Sequence, residues 1–259
     1  MHPMLNIAIR AVRKGGNFIV QKYDLQKNTI CKDNNINNLE NIIYISEKKI
    51  IETISKSYPH HAICTNKTIL NKKFNEIQWI INPLDGITNF SKNIPHFCIS
   101  IAVQIKNQTE ISVIYDPIKN ELFTAIKGKG AQINGYRMRC NNVSKLMFST
   151  ISINILNQHK SHNLYLQIMK ILLIEKIHFR LSGSNTLDLA YVATGRLDCL
   201  FNMNFTPWSF YAGELQLKES GALICDFRGG CNYLQSGISL IGHSKFIRLV
   251  FDKIKNIKY

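Results

Sequence analysis

The chain has 259 residues, enough for one large domain or two fused halves with a core that needs no disulfide staple. It has 32 Lys and Arg against 17 Asp and Glu, a formal charge of +15, and its 45% hydrophobic and 19% charged residues exclude a disordered or collagen-like chain. The longest apolar runs, Cys98 to Val103 and Ile171 to Ile174, fall far short of the roughly 20 residues of a membrane-spanning helix.

Met1-His2-Pro3-Met4-Leu5-Asn6-Ile7 lacks a basic start leading into an apolar stretch, and Arg10, Arg13 and Lys14 break up the next residues; a cytoplasmic protein is expected. Leu5, Ala8, Ile9 and Val12 recur at helical spacing and predict a helix from residue 3 to about 22. The polar stretch Asp24 to Asn41, with Asn34-Asn35-Ile36-Asn37-Asn38 inside it, reads as a mobile loop. Ile50, Ile51 and Ile54 predict a second helix over Ser46 to Lys56.

The period then changes. Gln78 to Ile81 reads as a short strand ending at Asn82-Pro83, Phe97 to Ile105 as a strand, and Glu110 to Tyr115 with Leu122 to Ile126 as a hairpin around Asp116-Pro117-Ile118-Lys119-Asn120. After about residue 145 helices and strands alternate. Helices are expected over Leu164 to Glu175, Thr186 to Thr194, Trp208 to Ser220 and His243 to Ile254. Strands are expected over Ile177 to Leu181, Asp198 to Phe201, Ala222 to Asp226 and Ser239 to Ile241. The expected division is an α+β half with an antiparallel sheet over 1–145 and an α/β half over 146–259, integrated as one domain, with no internal repeat.

Seven cysteines, with no C-x-x-C pair, read as free thiols in a reducing compartment rather than a disulfide framework or zinc site. The positive charge is spread along an Asn-, Ile- and Lys-rich chain, and spread without blocks reads as compositional drift ahead of a dedicated nucleic-acid face. Arg137, Arg139 and Lys145 stand close together, and whether they face RNA, a partner or solvent stays open. No DNA-binding motif is present.

Trp79-Ile80-Ile81-Asn82-Pro83-Leu84-Asp85-Gly86-Ile87-Thr88-Asn89-Phe90 resembles the inositol monophosphatase signature W-x-x-D-P-x-D-G-T-x-N-F. Pro207-Trp208-Ser209-Phe210-Tyr211-Ala212-Gly213, with Glu219-Ser220-Gly221-Ala222 after it, resembles that family's W-D-x-A-A-G helix. Pro95-His96-Phe97, Tyr115-Asp116-Pro117, Gly183-Ser184, Leu187-Asp188-Leu189-Ala190 and Gly195-Arg196-Leu197-Asp198 come in the family's order. The first eight residues and Ser57-Tyr58-Pro59 are similar to its bacterial SuhB branch. The resemblance implies a five-layer αβαβα sandwich of the inositol monophosphatase and sugar phosphatase type, commonly a homodimer. It implies Mg²⁺-dependent hydrolysis of inositol monophosphates and, for the SuhB branch, a second role as a Nus factor with RNA polymerase in ribosomal RNA antitermination.

Hydrolysing a phosphate monoester with Mg²⁺ needs clustered carboxylates, because hard divalent ions held close together repel. Carried over by resemblance, the metal positions are Asn66, Asn82, the Leu84 carbonyl, Asp85 and Ser209, and the water-orienting Thr is Ile87. Of four family carboxylates only Asp85 remains, with Lys67 beside Asn66. On the substrate side stand Gly86, Thr88, Arg180, Gly183 and Ser184, with Asn202 in place of a Glu. A charge of minus one where the family places minus four removes what holds two divalent ions together. The expectation is a catalytically impaired binding protein; the alternative is residual Mg²⁺-dependent hydrolysis through Asp85, the Leu84 carbonyl and substrate oxygens.

Simpler readings stand elsewhere. Trp79 and Trp208 read as core aromatics, and His60-His61, His96 and the His159/His162 pair as structural or solvated histidines. Lys127-Gly128-Lys129-Gly130 lacks the strand and helix of a phosphate-cradling loop and reads as a turn.

Overall fold

The computed structural model describes residues 2–28, 36–66, 69–70, 76–154, 162–203 and 206–254. Its first helix, α1 (Pro3–Asn28), begins on a proline, whose missing N–H costs nothing in a helix's first turn. Leu5, Ala8, Val12, Ile19 and Tyr23 form its buried stripe. Helix α2 (Ile36–Ser57) packs alongside through Ile42, Ser46, Ile50 and Ile54. The loop expected over Asp24 to Asn41 is therefore corrected at both ends, leaving 29–35, which lie outside the described residues. Asn lowers helix propensity by only a few tenths of a kcal/mol per residue, so flanking apolar contacts such as Tyr23 and Ile42 outweigh it.

Strands β1 (Ala62–Cys64), β2 (Ile69–Leu70) and β3 (Ile77–Asp85) lead to the short helix α3 (Ile87–Ser91). Next come β4 (Cys98–Ile105), β5 (Gln108–Asp116), β6 (Glu121–Ile126), β7 (Gly130–Ile133) and β8 (Tyr136–Arg137). All eight strands make one sheet in the order β2-β1-β3-β4-β5-β6-β7-β8, antiparallel except for the parallel β1–β3 pair. The strand expected to stop at Asn82-Pro83 instead continues to Asp85, with a register shift against β4 between Asn82 and Asp85. Proline lacks a ladder donor, and a bulge is where a strand tolerates that loss.

The second half contributes β9 (Thr150–Asn154), α4 (His162–Ile174), β10 (His178–Arg180), α5 (Asn185–Ala193), β11 (Cys199–Met203) and α6 (Pro207–Ser220). It closes with β12 (Leu223–Cys225), α7 (Tyr233–Ser236), β13 (Ile238–Gly242) and α8 (Ser244–Ile254). Its five strands run β10-β9-β11-β13-β12.

Three cores turn these elements into layers. One, with Trp79, Ile81, Ile99, Ile101 and Val103, fills the space between the first sheet and the α1/α2 pair. A second, with Ile80, Cys98, Ala102, Leu187, Leu189, Phe210, Leu200 and Ile241, joins the first sheet's other face to α5 and α6 and thence to the second sheet. The third packs α4 and α8 on the far side through Ile151, Phe201, Ile168, Leu172, Phe246 and Val250. This alternation is the expected five-layer αβαβα sandwich, and β4, buried on both faces, reads as a continuous apolar strand because both faces meet helices. Trp79 is fully buried with its indole N–H donating to His61 Nδ1 at 3.0 Å. No helix among the described residues is long and apolar enough to cross a membrane.

The α5–α6 contact depends on Gly213, where an added Cβ would lie 2.4 Å from Leu189 Cδ1 and 2.6 Å from Leu189 Cβ. Gly213→Val is expected to lower stability by about 1–3 kcal/mol through overpacking. Urea denaturation should show Leu189→Ala relieving part of that loss when combined, a non-additive pair.

The Lys127–Gly130 segment is a turn joining β6 to β7. It does hold an anion, an internal one: the Gly128 and Gly130 amides donate to the two carboxylate oxygens of Glu219 at 2.7 and 2.8 Å.

Candidate metal centre

Asp85 ends β3, and Gly86 turns the chain from strand to helix at φ 88, with its Cα hydrogens facing the His96 carbonyl and Phe97. A side chain there would meet that carbonyl at 2.9 Å as well as strain the left-handed backbone. Asn89, one turn on, donates from Nδ2 to the carbonyls of His96 and Ser182, both at 2.7 Å. That amide fastens the signature loop to the segment entering α5.

Asp85 is held from four directions. Oδ1 accepts from Ser184 Oγ at 2.5 Å and from the Thr186 amide at 3.3 Å, while Oδ2 accepts from Thr186 Oγ1 at 2.9 Å and from Asn82 Nδ2 at 3.2 Å. Thr186 Oγ1 also lies 3.0 Å from the Ser209 carbonyl oxygen. Burial raises the Asp85 carboxyl above the usual carboxylate range, and nearby Asp188 adds to it, against the lowering effect of the hydrogen bonds from Ser184 and Thr186. When Asp85 is protonated on Oδ2, it donates to Thr186 Oγ1 and the threonine donates onward to Ser209, so the same atoms accept either protonation state.

Of the other metal positions, Asn82 reaches it, with Nδ2 rather than Oδ1 turned toward the carboxylate. The Ser209 hydroxyl is engaged with Thr206, 2.8 Å from its Oγ1 and donating to its carbonyl at 3.0 Å, in the turn that starts α6. Asn66 is exposed at the end of β1, and Lys67 lies outside the described residues. Leu84 has a buried side chain that anchors the strand end, and Ile87 is 44% exposed, an apolar side chain at the position where the resemblance implies a hydroxyl. Among the described residues no three His, Cys, Asp or Glu side chains converge as a metal-binding group. The Mg²⁺ implied by the resemblance does not fit these residues: the one carboxylate has donors on both oxygens, and its neighbours are donors too.

On the substrate side, Ser184 is buried under Asp85, Gly183 lies against the Asn89 amide, and Thr88 is exposed with its carbonyl accepting from Ser91 Oγ. Arg180 sits exposed on the edge strand β10. Asn202 is fully buried and neither of its amide atoms has a hydrogen-bond partner among the described residues.

Sequence reasoning did not single out Thr186, Ser182 or Glu47, nor find a role for Asp188 and Asn89 beyond their motifs. Asp188 is buried and accepts from Ser152 Oγ and Ser182 Oγ, each at 2.6 Å, with His96 Nε2 3.7 Å from its other oxygen. Glu47, a buried carboxylate on α2, accepts from Thr65 Oγ1 at 3.0 Å. Cys98, 3.9 Å from Ser184 Oγ, is a thiol whose burial raises its pKa well above the ordinary value, so it is unreactive. Of the histidines read as structural, His61 and His96 take packing roles; His159 lies outside the described residues.

A five-layer sandwich with a signature loop closed over one remaining carboxylate defines a protein built like a sugar-phosphate phosphatase. The sequence profile of the inositol monophosphatase family matches residues 1–257, and the chain belongs to that family. It is 52% identical to the "Nus factor SuhB" of Buchnera aphidicola from Schizaphis graminum, over 98% of this chain and 97% of that one. It is 42% identical to the protein of the same name from Escherichia coli K12, over 99% and 97%. Among solved structures, the extragenic suppressor protein suhB of Bartonella henselae superposes with a TM-score of 0.88 at 28% identity, covering 98% of this chain and 99% of that one. The inositol monophosphatase of Anabaena gives 0.84 at 27%, covering 98% and 96%.

Proposed function

We propose that this chain is a catalytically impaired member of the SuhB branch that works by binding. It acts in the cytoplasm, as a homodimer, with RNA polymerase and Nus factors in ribosomal RNA transcription antitermination. The observation that carries the loss of catalysis is the occupancy of Asp85: protein donors address both oxygens where a phosphatase would need them free for cations. The name Nus factor SuhB, borne by the relatives at 52% and 42% identity, supports the partner class. Fold alone does not choose between catalysis and binding, since function resides in the site.

Two measurements test the proposal. With millimolar Mg²⁺ and inositol 1-phosphate, no phosphate release above the uncatalysed rate is expected; turnover abolished by Asp85→Ala would make the chain a phosphatase. In a pull-down at low salt, Nus factor A and RNA polymerase are expected to be retained by the wild-type chain. No retention of either would remove the antitermination role.

A further inference from the structure

The outer helix layer holds a cavity that plays no part in the signature site. Its volume is about 390 Å³, and it is lined by Ser144, from the segment between β8 and β9, and by Ser244, Lys245, Arg248 and Leu249 of α8. Both walls are anchored from beneath. Val143 and Leu146 flank Ser144 and pack on the third core, and Phe246, Ile247 and Val250 fasten α8 to the same core. The second sheet stands between this cavity and Asp85, because α8 covers that sheet's far face while Asp85 meets α5 on the near one.

The lining is cationic and no carboxylate offsets it. Residues 140–149 and 238–251 contain no Asp or Glu. Lys245 and Arg248 stand three apart on α8, so they share a face, and both are exposed. The ion pair on this helix joins Lys253 to Glu175 at 2.6 Å, more than a turn beyond Arg248; Lys245 and Arg248 have none among the described residues. Two cations and two hydroxyls around one hollow suit an oxyanion with several terminal oxygens. The guanidinium offers a planar fork, the ammonium a point charge and the serines neutral donors. The volume lies in the range of small-molecule sites and leaves room for an organic body beside the anion. Leu249, packed on the third core, gives that body an apolar surface. Neither a carboxylate nor a histidine lines the cavity to activate water, so its occupant is held rather than cleaved.

We propose that this cavity is a binding site for a small organic phosphate: a phosphate monoester on Lys245, Arg248 and the two serines, with its body over Leu249. A nucleic-acid strand is held by a track of cations along its backbone, whereas here two cations serve a single hollow. The site goes beyond the binding-protein reading and does not depend on it.

The test is calorimetric titration of the full chain, without added metal, with adenosine 5′-monophosphate and with glucose 6-phosphate. Inorganic phosphate, adenosine and a 5′-hydroxyl RNA oligonucleotide are titrated for comparison. At least one monoester is expected to bind at one site per chain, about tenfold or more tighter than inorganic phosphate, and adenosine not at all. Lys245→Ala combined with Arg248→Ala should weaken that binding by at least about tenfold. Ser144→Glu, which brings a carboxylate to the rim and keeps both cations, should weaken it as much. These three positions are exposed, so circular dichroism of the variants should match the wild type. Backbone amide shifts in the NMR spectrum should move at Ser144 and over 244–249. Shifts at Gly86, Gly183 and Ser184 in their place would assign the phosphate to the signature loop and overturn the proposal. It is equally overturned by no binding of either monoester at millimolar concentration, by monoesters binding no tighter than inorganic phosphate or RNA, or by binding indifferent to the variants.

Discussion

Asp85→Ala is expected to lower the unfolding free energy by about 3 kcal/mol, because buried donors lose their acceptor together. Ser184 Oγ, the Thr186 amide and Asn82 Nδ2 all point at the missing carboxyl; Thr186 Oγ1 keeps the Ser209 carbonyl as another acceptor, and Ser184 Oγ keeps only the weak Cys98 Sγ at 3.9 Å. Asp85→Asn keeps an acceptor in place and should cost much less. The loss should also depend on pH, because the Asp85 carboxyl is raised in the folded protein. Such a group contributes fully below its unfolded pKa of about 3.9, and that contribution disappears as pH rises through the folded value. Urea melts of wild type and Asp85→Ala should therefore differ most in acid. A gap that widened toward neutral pH would mean that Asp85 is a stabilised carboxylate, with its donors outweighing its burial.

Asn82→Asp tests the same centre from the opposite direction. The amide that donates to Asp85 Oδ2 at 3.2 Å becomes a second carboxyl facing the first. A lost donor and a like charge should together cost about 3 kcal/mol at neutral pH without divalent ions. Acid should relieve the cost, since the two carboxyls can then share a proton. Millimolar Mg²⁺ should relieve it as well, because an ion that binds the folded state alone raises the melting temperature by mass action. The wild-type chain should show no such rise. A wild-type melting temperature that climbs with Mg²⁺ would show that Asp85 releases its donors to a cation and that the family's chemistry has a foothold here.

The contrast between these two variants marks what could be read in the sequence. The ligand positions that the resemblance assigns to Asn66, Asn82 and Ser209, and the charge deficit they imply, can be read from residue identity alone. The donors around Asp85 were hidden: Thr186 lies 101 residues from Asp85 in the chain, and only the packing of α5 against the end of β3 brings its hydroxyl there. Long-range side-chain pairings leave no periodic trace. Helix and strand identity was legible wherever the period was strong, as in α1, β5 and α8. It failed where local composition and tertiary burial disagreed, as at the Asn-rich start of α2 and at Pro83, where a bulge lets β3 continue. Short strands such as β7 and β8 were not foreseen because two to four residues are too few to show alternation.

In the turn between β6 and β7, the amides converge on a carboxylate carried by α6 of the same chain. A free phosphate arriving there would compete with an occupant that never diffuses away, whose tether supplies an effective concentration of order millimolar or higher. A glycine-lysine loop that looks vacant in the sequence is thus self-liganded: the loop is spent on fastening the first sheet to α6, and soluble anions are shut out by an internal competitor.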